Sequence, residues 1–214
     1  MKKNTVKIVA VVLGIFVMLA GTNAFAKEKM AAAKLTTKSV GLKLALRDLW
    51  SGHIFWVRNV VMMTKLGSAD AVKVAENQVF QNARAIADSI GPIYGKAASD
   101  KLFNLLAGHY GAVKEYMTTV YANDATGKAA AVDKIKKNAD EIATFLSSAN
   151  PNWPKDAVLG LLMAHGGHHI SQIDQFNSNN FSAEAQTVDA MQKHIYAIAD
   201  ALADGIVKQF PKKF

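Results

Sequence analysis

His53, His109 and His165 stand 56 residues apart and then 56 again. Each follows a leucine by four residues: Leu49, Leu105 and Leu161. The same period carries a second polar column, Asn82, Asn138 and His194. Neutral imidazole is a nitrogen ligand for borderline divalent ions. Three of them converging without cysteine suit zinc, copper or iron, with a fourth position open. A metal-bound histidine commonly donates its other ring nitrogen to an acceptor that fixes the ring. Asn82 and Asn138 are placed to be that acceptor, and His194, standing where the third Asn would be, to be a fourth ligand. The third unit is further enriched, as His165-Gly166-Gly167-His168-His169. His165 and His169 are i and i+4, a chelating spacing on one helical face. Two other readings stay open. The protein could be a cell-envelope interaction or scaffold module, its columns a purely structural hydrogen-bonded His/Asn layer that sets helix register and holds no ion. A small apolar or aromatic ligand could also lie beside Trp50 and Trp56. One of His168 and His169 could simply be solvated.

The elements that must carry these residues follow from the same period. Ile86-Ala87, Ile142-Ala143 and Ile198-Ala199 share it, as do Leu46, Leu102 and Val158. Residues 45–100, 101–156 and 157–212 therefore read as three gapless copies of one unit. Each half-unit spaces its apolar residues as a helix does, for example Leu42, Leu46, Leu49, Val57 and Val60, or Val72, Ala75, Val79, Ala83, Ile86 and Ile90. Turn residues separate the halves: Gly67-Ser68, Asn123-Asp124 and Asn177-Ser178-Asn179-Asn180. Ser182 with Glu184 reads as the cap of the last helix. Pro92, Pro151, Pro154 and Pro211 read as boundaries between or after units. The expected fold is all-α, a six-helix bundle of three αα-hairpins (about 38–93, 95–150 and 154–210) in a pseudo-threefold repeat. Each column histidine and its opposing Asn or His are centred on their hairpin's turn. All six side chains are thus expected in one layer, about 22 Å from the turns at 1.5 Å per residue. Gly52, Gly108 and Ala164 precede the histidines and allow close helix approach.

The chain has 214 residues, half of them hydrophobic, and no cysteine. That excludes disorder, a disulfide framework, iron–sulfur clusters and covalently attached haem. Lys2, Lys3 and Lys7 precede an apolar run at 8–20, followed by Ala24-Phe25-Ala26. This reads as a signal peptide, residues 1–26, leading through a linker at 27–37 into a single domain at 38–214. The run is shorter than the ~20 residues a bilayer span needs, so no membrane span is expected after cleavage. The formal charge of +8 loses three lysines with the leader and becomes +5. A mildly basic periplasmic or secreted protein follows. No basic stripe with base-reading residues points to nucleic acid, and no phosphate loop to a nucleotide. A lipase-type nucleophile elbow is absent. Trp50, Leu106 and Leu162 stand three before the column histidines, where a di-iron carboxylate bundle would need glutamates. Asp48 and Asp174 read as isolated acids, and Lys114 as a surface ion pair with Asp133. No nucleophile or general base adjoins the histidines, so the sequence assigns no reaction and no protein partner.

The run Leu49-Trp50-Ser51-Gly52-His53-Ile54-Phe55-Trp56, the stretch Asn138-Ala139-Asp140-Glu141-Ile142-Ala143 and the ending Gly205-Ile206-Val207-Lys208-Gln209-Phe210-Pro211 resemble a family of poorly characterised bacterial exported helical proteins. The resemblance implies an all-helical exported domain with a histidine on each odd helix. It implies no particular activity.

Overall fold

The computed structural model describes residues 36–214. The leader at 1–26 and nearly all of the linker lie outside the described residues. Six helices account for the fold: α1 Thr37–Lys65, α2 Ala69–Tyr94, α3 Lys96–Tyr121, α4 Ala125–Ala149, α5 Lys155–Asn177 and α6 Phe181–Gln209. There is no strand among the described residues, and no helix there is long and apolar enough to cross a membrane.

Each helix packs on its neighbours in the chain, and α6 returns against α1, so the bundle is a closed ring. α5 also touches α1 and α3 across the centre. The odd helices thus face inward and the even helices buttress them. The ends of the described chain meet: the Thr36 hydroxyl donates to the Phe214 carbonyl at 2.8 Å. Thr36 also caps α1 in a reciprocal box with Ser39.

The three hairpin turns are built alike. Gly67, Asn123 and Asn179 adopt the left-handed conformation, with φ of 72°, 55° and 58°. In each turn the left-handed residue's N–H bonds three residues back and the next N–H bonds five back. This is the Schellman closure, which satisfies carbonyls that a helix end leaves bare. Glycine and asparagine bear that conformation at least cost. Asp124 and Asn180 then cap α4 and α6, accepting from Gly127 N at 2.9 Å and Ala183 N at 3.2 Å. The cap of α6 is therefore Asn180 and not Ser182, whose place is already inside the helix. Pro92 likewise lies inside α2. It sits in the final turn, where the helix has only Ile93 and Tyr94 left before Gly95, so little is lost with its N–H.

Two apolar masses fill the ring. Toward the turns, Val57, Val60, Tyr116, Met117, Ile135, Ile173 and Phe176 pack together. Toward the chain ends, Leu46, Ile86, Leu102, Met191 and Ile198 join Leu146, Trp153, Val158 and Ile206. Trp153 is buried so tightly against Gly205 that a Cβ there would overlap its indole. The histidines lie between these two masses.

Candidate metal centre

His53 comes from α1, His109 from α3, and His165 and His169 from successive turns of α5. These four alone, among the described residues, form a cluster with ligand nitrogens all within 4.8 Å of one another. His53 Nε2 lies 3.3 Å from His165 Nε2, and His169 Nε2 lies 3.1 Å from the same atom. Two nitrogens bound to one tetrahedral ion at ~2.0–2.1 Å are roughly 3.3 Å apart. Small neighbours make this convergence possible. Gly166, beside His165, leaves room for Ile135, whose Cγ2 would be 2.9 Å from a Cβ. Trp50 meets the His53 ring edge-on at 6.0 Å and closes the layer from below.

The site is dry. The four rings are 1–5% exposed. Burial pushes the His53 imidazole down to about 3, with a further push from the neighbouring His109. Burial takes His109 down to about 4. His165 and His169 are driven well below the ordinary value, by burial first and then by the surrounding imidazoles. All four are neutral at pH 7, so each offers a lone pair.

Hydrogen bonding within the four does not use what they offer. His165 Nε2 faces both His53 and His169, yet it carries either one proton or one lone pair. One of the two contacts is left unserved. Both nitrogens of His109, and Nδ1 of His165 and His169, are buried with no hydrogen-bond partner among the described residues. A buried polar atom without a partner costs about 1–3 kcal/mol. A cation at the centre would take one lone pair from each ring and remove the conflict at His165 Nε2. The donor set is four imidazoles with no carboxylate or thiolate, which fits zinc, copper or iron and not the oxygen-seeking ions.

The second column does something other than expected. Asn82 Nδ2 donates to Leu49 O at 2.9 Å, and Asn138 Nδ2 to Leu105 O at 3.0 Å. His194 Nε2 makes the equivalent bond to Leu161 O at 2.9 Å. Neither amide accepts a hydrogen bond from a histidine ring, and the Oδ1 atoms of Asn82 and Asn138 are themselves buried without partners. His194 stays outside the group of four, because its ring is turned to the main chain of α5. The reason is local. For the two amides, Gly52 and Gly108 have no Cβ, and Asn82 Nδ2 and Asn138 Nδ2 lie 2.8 and 3.3 Å from where one would be. The carbonyls reached belong to the residues four before each column histidine, so they also accept that histidine's own helical N–H.

His168 stacks obliquely on His194 with ring centres 5.4 Å apart, both half-buried. The ion pairs expected from hairpin position also differ. Lys114 pairs with Glu76, and Asp133 with Lys136. Asp174 is not isolated but holds the Tyr116 hydroxyl and Lys128 Nζ at 3.0 and 2.9 Å. Sequence reasoning missed a buried carboxylate as well. Glu184 takes a two-pronged bond from Arg58 at 2.7 and 2.9 Å and a third from Gln172. Gln172 lies three residues past His169 on the same face of α5, which was the available signal.

No known protein family, curated protein or solved structure matches this chain.

Proposed function

We propose that this protein is an exported metal-binding protein that holds one zinc, copper or iron ion on His53, His109, His165 and His169. The observation that carries the reading is the meeting of four neutral, buried imidazoles whose hydrogen bonds cannot all be satisfied by one another. Four ligands close a tetrahedral site, which favours holding, buffering or delivering an ion over hydrolysis at an open position. The N-terminal leader read from the sequence supports action in the periplasm or outside the cell.

Elemental analysis of untagged protein, purified with mild metal supplementation, tests the reading. About one ion per chain is expected. His169→Val, which installs the residue found at Val57 and Val113, should abolish tight binding while keeping the fold. A metal content near zero in the unaltered chain would instead leave the layer as a device for helix register.

A further inference from the structure

The chain has six histidines, and four are used by the buried cluster. The other two, His168 and His194, lie against each other at the edge of the same layer. We propose that His168 and His194 form a second, shallower transition-metal site that loads the buried one. This rests on the metal-binding reading of the four-histidine cluster.

Three features carry it. First, the His194 tautomer is set by its surroundings. Leu161 O can only accept, so Nε2 must donate, and in the neutral tautomer the lone pair is the one on Nδ1. A carbonyl behind one ring nitrogen is the arrangement that orients metal-bound histidines through the other. The first two hairpins make the same main-chain bond with Asn82 and Asn138, which offer no imidazole. Second, the spacing fits. Two imidazoles on one tetrahedral ion at ~2.0–2.1 Å hold their ring centres roughly 5 Å apart. The His168–His194 separation of 5.4 Å lies within the 4.5–6.1 Å spread of the ring pairs in the buried cluster. Third, the placement leads inward. A hydrated ion needs an entry path to ligands that are 1–5% exposed. His168 is half-buried and next in sequence to His169, and His194 is anchored one turn of α5 before His165. Two imidazoles plus solvent make a weaker site than four imidazoles, so the ion moves toward the core by exchanging ligands.

The test is zinc(II) titration of the whole, untagged apo protein. Equilibrium dialysis counts ions, imidazole nitrogen resonances identify the ligands, and stopped-flow uptake gives the loading rate. Two equivalents are expected, one tight and one weak, with the weak one shifting His168 and His194. His194→Asn retains the bond to Leu161 O by analogy with Asn82 and Asn138. It should lose the weak equivalent, keep the tight one and load it more slowly. His168→Ala, which places the residue found at Ala112, should do the same. A single equivalent in the unaltered chain, or a His194→Asn variant with unchanged stoichiometry or unchanged loading rate, overturns the proposal. Failure of the buried site is separately visible as the absence of any tight equivalent that His169→Val removes, and with it the loading role falls.

Discussion

Lowering the pH from 7.5 to 5 in the presence of a chelator should strongly destabilise this protein, and the size of the effect follows from the buried rings. His53 titrates at about 3 and His109 at about 4 in the folded state, because burial penalises their charged forms. In the unfolded chain both titrate near 6.5. Below pH 6.5 the unfolded state binds more protons, so stability is fully present above that value and drains as pH falls toward the folded values. At pH 5 the loss is about 2 kcal/mol for each ring, or about 4 kcal/mol for the two, from the linkage relation. His165 and His169 are shifted in the same direction and add to it. Small domains are stable by about 5–15 kcal/mol in total. Urea unfolding followed by far-UV circular dichroism at pH 7.5, 6.5, 5.5 and 5 measures this directly. The window stays above the range in which surface carboxylates protonate, so the histidines dominate it. The midpoint should fall steadily below pH 6.5. A midpoint unchanged from pH 7.5 to 5, with an unchanged denaturant slope, would show that the four rings are not buried and neutral, and the account of the site would fail.

Other outcomes follow from particular contacts. Zinc at one hundred times its dissociation constant should raise folding stability by about 2.7 kcal/mol, read as a shift in thermal midpoint, and His169→Val should erase the shift. Gly205→Ala should destabilise by about 2 kcal/mol, since overpacking against Trp153 outweighs the gain in helix propensity; chemical denaturation checks it. Gly160→Ala is the matched control: nothing lies within 4 Å of its Cβ position, and it should stabilise by up to about 1 kcal/mol. Asn138→Ala should cost about 1–2 kcal/mol by removing the bond to Leu105 O next to His109, measured as a lower urea midpoint.

Helix number, hairpin pairing and the height of the histidines were legible because they depend on spacing along one chain. His53, His109 and His165 share a period with the turns at Gly67, Asn123 and Asn179, and distance from a turn fixes height in a hairpin. The i, i+4 pair His165 and His169 was legible for the same reason. What spacing does not encode is rotation of a side chain about its own bonds. Whether Asn82 turns to a ring or to the Leu49 carbonyl depends on the gap at Gly52, which exists only once the two helices are packed. His194 turns to the Leu161 carbonyl even beside Ala164, which has a Cβ, and its sequence position alone could not separate it from the buried four. Partners that lie in different hairpins, such as Arg58 and Glu184, 126 positions apart, depend on how the ring closes.

The meeting of Thr36 with Phe214 bears on where the polypeptide needs to begin. In a closed ring of hairpins whose ends touch, α6 packs on α1 much as α4 packs on α5. A short linker joining Phe214 directly to Thr36, with new termini opened at the exposed Pro151 so that Trp153 stays with α5, would give a circular permutant with the hairpin containing α5 and α6 placed first. His165 and His169 would then emerge from the ribosome ahead of His53 and His109. Such a chain should reach the same four-histidine layer, because no helix would have to thread past another, and the order of synthesis would be separated from the architecture of the site.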